Sequence, residues 1–241
     1  INYLLGYLYS LRKEYDRAIQ HLEHSLERED GFAPAIAALG LALRRKGDSL
    51  RGEDERTQRN VYWSRAETHL LSALRLDSHL TDAEGESYYG SLGGLYRRQG
   101  RYDDAIDAYH QAEKVTPTSS YPLINLASLY WHQGASAEAR AYFQRVHDSA
   151  RLKLDMNPLD NWARADFAQA LVALGRRDEA LRQIQFVREN HPEPGLLATI
   201  RDGLAFLAES ATPIEGMDAL LAAIDQALAE PPVTPGQSAT A

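Results

Sequence analysis

The chain contains no cysteine. Disulfide staples and thiolate metal sites are thereby excluded, and no oxidising compartment is implied. No apolar run approaches the ~20 residues that a bilayer-spanning helix needs, and no signal-peptide pattern is present. Positive charge is in deficit, with 26 Lys and Arg against 34 Asp and Glu and a formal net charge of −8. Binding to phosphate backbones draws on dense positive charge, so this balance argues against nucleic acid or an anionic membrane as the main partner. Strand signals are missing as well. Every periodic segment repeats near 3.6 residues, and turn signals fall between helix-length runs. There is no initiator methionine: the chain opens at Ile1, already inside a helical pattern. That opening reads as a piece of something longer, and the expected localisation is cytoplasmic.

What is present is a repeat. Leu92, Gly93, Tyr96, Gly100, Ala105, Tyr109 and Ala112 recur 34 residues later as Leu126, Ala127, Tyr130, Gly134, Ala139, Phe143 and Val146. A period of this length indicates stacked helix-turn-helix units, each leaning on its neighbours to bury its apolar face. With 44% hydrophobic residues, the chain can sustain a continuous core of that kind. The expected fold is all-α, a solenoid of about five to six antiparallel helical hairpins.

The clearest unit spans residues 86–119. Tyr89, Leu92, Gly93 and Tyr96 share one face of its first helix, Gly100 supplies a left-handed C-cap, and Asp103 and Asp104 suit the positive end of the second helix. Pro117 closes the unit. The next, 120–157, has Ser136 as a candidate N-cap. From Gly134 to Gly175 the spacing is 41, and seven extra residues are about two helical turns. Residues 137–155 therefore read as one long helix. A fifth unit covers 161–192, ending near Pro192. Upstream, residues 1–30 form a first unit and 31–80 a second, with an insertion at 47–60. The stretch from 47 to 59 holds one apolar residue by this reading, Leu50, so a mobile loop is expected that deletion would spare. A divergent hairpin at 195–230 reads as a cap on the last core face. The proline-rich end, 231–241, reads as a flexible tail or linker.

These residues resemble the tetratricopeptide repeat family. Its loose pattern places Trp, Leu, Gly, Tyr, Ala, Phe, Ala and Pro at positions 4, 7, 8, 11, 20, 24, 27 and 32 of each unit. Residues 86–119 fit it with Tyr89 in the Trp slot and Tyr109 in the Phe slot. The turn hexamers at 100–105 (Gly-Arg-Tyr-Asp-Asp-Ala) and 175–180 (Gly-Arg-Arg-Asp-Glu-Ala) are typical of it. The resemblance implies a right-handed superhelix whose concave groove is lined by the first helix of each pair, and work as a protein or peptide adaptor. Family groove positions carried onto this sequence give Ala37, Leu41, Arg44 and Arg45, then Ser87, Gly90, Ser91, Gly94, Arg97 and Arg98. They continue with Tyr121, Asn125, Ser128, Trp131 and His132, and end with Trp162, Asp166 and Gln169. One subgroup clamps chaperone tails with Lys and Asn; lysines are absent from these positions, so that role is disfavoured.

Chemistry-bearing candidates follow from this set. Arg44, Arg97 and Arg98 can complement helix C-terminal dipoles or offer bidentate donors to a partner's carboxylates. Trp131 and Trp162 lie outside the apolar slots and suit interface anchors, with Tyr121, Asn125, Ser128, His132, Asp166 and Gln169 around them. His21 and His24 share a face without a third ligand, so no metal is expected. Asp103, Asp104, Asp178 and Glu179 sit at repeat turns, where capping explains them. Gly90, Gly93 and Gly94 follow no strand, which removes the phosphate-loop geometry. No catalytic triad or dyad spacing is visible. The expectation is a non-catalytic interaction module, without cofactor, that holds a peptide or a neighbouring domain and belongs to a larger protein. The alternatives are a spacer or oligomerisation scaffold and the regulatory arm of an enzyme or signalling effector.

Overall fold

In the computed structural model, residues 1–190 and 194–229 are described. They form twelve α-helices and no strand; the sheet-like pairing among them is an isolated antiparallel bridge between Thr81 and Ser87. The expected all-α fold is therefore observed. The expected tail at 231–241 and the closing Pro192 lie outside the described residues. The chain divides into two compact units, Ile1–Pro117 and Thr118–Ala241.

The first unit holds three antiparallel pairs: α1 (Asn2–Leu11) with α2 (Tyr15–Leu26), α3 (Ala33–Ser49) with α4 (Arg56–Leu76), and α5 (Tyr88–Arg98) with α6 (Tyr102–Val115). Each pair closes because small residues face each other across it. Ala18, Ala66 and Ala105 are fully buried on the second helices. On α5, a Cβ added at Gly93 would lie 2.9 Å from the Tyr109 ring of α6, so the two backbones approach as closely as that ring allows. Leu22, Leu39, Leu43, Leu70, Leu95 and Tyr109 fill the interior with almost no exposure.

Turns recur with the period. Gly100, Gly134 and Gly175 each lie seven residues after the small residue of the first helix (Gly93, Ala127, Ala168) and adopt φ of 74°, 78° and 78°. Lys13 lies seven residues after Gly6 and adopts φ 62°, a left-handed conformation that a Cβ disfavours by roughly 1–2 kcal/mol. Lys13→Gly should therefore raise stability. Freedom gained by the unfolded chain offsets part of this, leaving up to about 1 kcal/mol, readable as a shifted urea midpoint.

The second pair departs from the expectation of a mobile loop at 47–60. Its helices lengthen instead, and only 50–55 connect them. Trp63, just beyond the apolar-poor stretch, and polar groups of the stretch itself close the tip. Gly47 is helical and buried, with a Cβ there 2.7 Å from the Trp63 ring. Trp63 Nε1 donates to Asp48 Oδ1 at 3.0 Å, and Arg59 Nη1 donates to the Leu50 carbonyl at 2.9 Å. Residue 47 is thus a packing glycine rather than a turn glycine, and deletion of the insertion would remove ordered structure.

Further along α4, His69 is half-buried. Burial, then the nearby Arg65, hold its pKa below the usual value of about 6.5, while Glu23 opposes them. The unfolded chain then takes up the proton first as pH falls. His69 contributes stability present above about pH 6.5 and lost progressively below it. Urea titrations at pH 7.5 and 5.5 should show a larger loss for the wild type than for His69→Gln.

The second unit contains α7 (Ser120–His132), α8 (Ser136–Met156), α9 (Asn161–Ala173), α10 (Arg177–Asn190), α11 (Pro194–Ala208) and α12 (Met217–Ala229). The long helix read at 137–155 is α8, at 21 residues. Ser136 is its first helical residue rather than its N-cap, which is Ala135. Asp178 and Glu179 occupy the first turn of α10, as capping requires. Leu126 and Leu129 are buried, and Phe143 and Leu171 share a core to which α11 adds Ile200, Leu204 and Leu207. That last helix packs on α10, on α9 and on α7.

Candidate functional site

The expected inner-face residues divide between the units. In the first, Arg44 is half-buried on α3, and its Nη1 lies against α5 where a Cβ at Gly94 would be 2.8 Å away. Its Nε is buried without a hydrogen-bond partner among the described residues. Arg97 and Arg98 end α5, where cations complement the helix dipole. Arg98 also bridges to the neighbouring pair: its Nε is 3.2 Å from Asp48 Oδ1, and its Nη1 donates to the Gly94 carbonyl at 3.1 Å.

In the second unit most of the candidates are spoken for. Trp131 is 2% exposed. Its indole Nε1 donates to the Thr212 carbonyl at 3.2 Å, its ring meets Phe143 edge-on, and its own carbonyl accepts from Ser210 Oγ at 2.8 Å. The expectation of a groove anchor at Trp131 is therefore corrected: the indole fastens the 209–216 connection to α7. His132 stacks on Phe206 of α11 with centroids 4.8 Å apart. Gln169 is buried, and a Cβ at Gly203 of α11 would fall on its amide. Asn125 and Ser128 are buried too and turn back on their own helix, donating to the carbonyls of Tyr121 and Ile124, both at 2.8 Å. Trp131, His132 and Gln169 are not an open peptide surface, because α11 and the segment after it cover them. Tyr121 and Trp162 remain exposed, Trp162 at 66%, and Asp166 is half-buried.

Other weighed positions find local roles. His21 stacks on Tyr9 with centroids 5.3 Å apart, and His24 Nδ1 lies 3.2 Å from Glu27.

A surface that the repeat pattern did not single out lies at the extended tip of α3 and α4, beside the last turn of α5. An open cavity of about 790 Å³ is lined there by Arg51, Arg56, Arg59 and Arg98, with Asp48, Glu53, Asn60 and Trp63. Four guanidiniums meet two carboxylates. Arg56 pairs with Glu53 at 3.2 Å and Arg98 with Asp48. Among the described residues Arg51, which is exposed, has no partner, and Arg59, 5.5 Å from the centroid of the Trp63 ring, keeps a buried Nε unbonded. The signal was available in the sequence as Arg51, Arg56 and Arg59 within nine residues, but a stretch assigned to a mobile loop cannot form a wall. Lengthening the helices is what brings these residues to Arg98.

Comparison with known proteins agrees with the fold. A family model described as Tetratricopeptide repeat matches residues 49–122 and 91–151, and a second of the same description matches residues 1–31. Together they span more than half of the chain. Among solved structures, a thermophilic TPR protein of Thermus thermophilus is 21% identical with a TM-score of 0.55, over 70% of this chain and 79% of that one. The Pseudomonas aeruginosa pilF protein is 20% identical with a TM-score of 0.55, over 94% and 88%. A tetratricopeptide repeat protein from Parabacteroides merdae is 17% identical with a TM-score of 0.53, over 95% and 78%. At such identities the likeness shows the fold alone. No curated protein matches the chain.

Proposed function

The chain belongs to the tetratricopeptide repeat family, and from that premise we propose that it captures an acidic segment of a protein partner at the arginine-lined cavity of its first unit. Membership makes the chain a protein-interaction or scaffold module of a typically non-catalytic kind. The choice of surface is our reading, and one observation carries it: a chain of net charge −8 sets four arginines around one cavity, against two carboxylates.

Chemically, Arg51 and Arg59 have donors to spare for side-chain carboxylates of the partner, which a planar guanidinium can take in pairs. Trp63 offers an apolar wall for an aliphatic residue between them. Arg98 joins the site as the residue shared with the family's inner-face positions. Arg44 and Arg97 extend the reading as further partner contacts within the first unit; in the second unit, taken by itself, Tyr121 and Trp162 are the exposed candidates, whereas Trp131, His132 and Gln169 have structural work under α11.

A fluorescently labelled peptide of alternating Glu and Leu, titrated by anisotropy, tests this. Arg51→Glu, at an exposed position, should weaken binding by about tenfold at low salt, because it both removes a donor and repels the ligand. Arg59→Gln should weaken it further. Wild-type affinity should fall as sodium chloride rises toward physiological ionic strength, where the screening length is about 8 Å. Equal affinity in both variants, or binding indifferent to salt, would refute the assignment.

A further inference from the structure

One arginine stands where the repeat calls for an apolar side chain. Tyr89, Leu123 and Arg164 hold the same place in successive units, separated by 34 and 41 residues, the steps also taken by Gly100, Gly134 and Gly175. Leu123 is buried at that place, as expected of a core slot, and so is Arg164, which is only 9% exposed. A charged residue in a core slot breaks the local rule, and such breaks mark function more often than the surrounding pattern does.

The surroundings of Arg164 leave its charge uncompensated. It projects from the first turns of α9 with its Cζ 3.7 Å from the centroid of the Phe186 ring on α10. Nη1 donates to Gln183 Oε1 at 2.5 Å and Nη2 to the Pro158 carbonyl, both neutral acceptors. Nε is buried and has no hydrogen-bond partner among the described residues. No carboxylate among the described residues lies within ion-pair distance of it, and burial alone pushes its pKa down. A buried cation without a counter-charge is costly, and removing the mismatch requires either an apolar replacement or an anion.

The neighbourhood of Arg164 holds further cations. An open cavity of about 380 Å³ lies beside α8, α9 and α10, and Arg151 and Arg176 line it together with Arg164. Arg176 is held in place by both oxygens of Glu179, each at 2.6 Å, and by His147 Nε2, also at 2.6 Å. His147 Nδ1 is 2.8 Å from Asp148 Oδ1. The ring therefore donates to Asp148 and accepts from Arg176, an arrangement that fixes both. Arg151 is exposed on α8. Three guanidiniums line the cavity against Asp155 and Glu179, and Glu179 is already engaged.

We propose that this cavity is an oxyanion site, in which Arg164 and Arg151 hold a single carboxylate or phosphate group supplied by a ligand. Gln183, a neutral acceptor on Nη1, is the group the ligand displaces. Asp155 and Glu179 on the same rim limit the negative charge the site accepts, which favours a single oxyanion over a polyanion. The site belongs to the second unit and does not depend on the cavity lined by Arg51 and Arg59.

The test uses inorganic phosphate and acetate as probes, with sodium chloride at equal ionic strength as the control. The thermal midpoint of the chain, followed by circular dichroism, should rise with probe concentration and saturate. A ligand that binds only the folded state shifts the folding equilibrium about 100-fold at a hundred times its Kd. Arg164→Met should abolish the saturable rise while keeping wild-type helicity. Its midpoint without probe should equal or exceed that of the wild type, since the mismatched charge is gone. Arg151→Gln, safe for folding at an exposed position, should weaken probe binding several-fold. A response to phosphate alone assigns a phosphorylated ligand, a response to acetate alone assigns a carboxylate, and either supports the site. The proposal is overturned if neither probe gives a saturable rise beyond chloride, or if both variants respond as the wild type does.

Discussion

Trp131→Ala should cost the second unit about 3–5 kcal/mol, the range for truncating a fully buried large aromatic side chain. Trp162→Ala should change stability by no more than about 0.5 kcal/mol. The two tryptophans look alike in the sequence, both outside the apolar slots of a first helix. Their surroundings separate them, with Trp131 2% exposed and Trp162 66% exposed. Truncation at 131 opens a cavity beside Phe143 and releases the Thr212 carbonyl from its donor. The connection from α11 to α12 should then loosen, and limited proteolysis should cut within 209–216 sooner than in the wild type. Urea unfolding followed by circular dichroism measures the stability term without relying on the removed fluorophore. A loss below about 1 kcal/mol at Trp131 would mean that the indole is not part of the core, since that is less than even a typical large-to-small core change costs.

Ala105→Leu should destabilise the first unit by roughly 1–3 kcal/mol, occasionally more, because extra methylenes in a filled contact force side chains off their rotamers. Ala105 is fully buried on α6, and Ala18, Ala66, Ala139 and Ala180 are equally buried at the same place in the other hairpins. Across the same pair, α5 carries Gly93, where an added Cβ would lie only 2.9 Å from the Tyr109 ring of α6. A leucine has no room to turn into. The expected readout is a lower thermal midpoint with helicity preserved at low temperature; an unchanged midpoint would show that α5 and α6 stand further apart than their small residues imply.

Much of this was legible in the sequence, for a physical reason. The 34-residue period reports contacts between near neighbours, and a left-handed turn or a tight helix contact tolerates few residue types, so Gly100, Gly134, Gly175 and Ala105 could be placed in advance. The seven surplus residues kept the apolar face of α8 in phase and so predicted its length. What escaped was set by contacts distant in the chain or by polar groups. Trp131 is covered by a segment some 80 residues later, reached through Thr212 and Ser210. Nothing in the spacing of α7 announces that. The tip of α3 and α4 is ordered by Trp63, Asp48 and Arg59, which a count of apolar residues does not credit. Arg164 carried a signal that a tally of matched positions passes over: it is a mismatch, and its burial gives the mismatch meaning.

The covering of α7 and α9 by α11 has a thermodynamic consequence for any ligand aimed at that face. Such a ligand competes with a helix tethered to the same chain, whose effective concentration lies in the millimolar range for a short connection and does not fall on dilution. If the uncovered form is populated one time in a hundred, an intrinsic affinity is weakened about a hundredfold in what is measured. Whatever lowers the hold of α11, whether loss of the His132–Phe206 stack or of the Trp131 anchor, returns that factor to the ligand without altering a single contact the ligand makes.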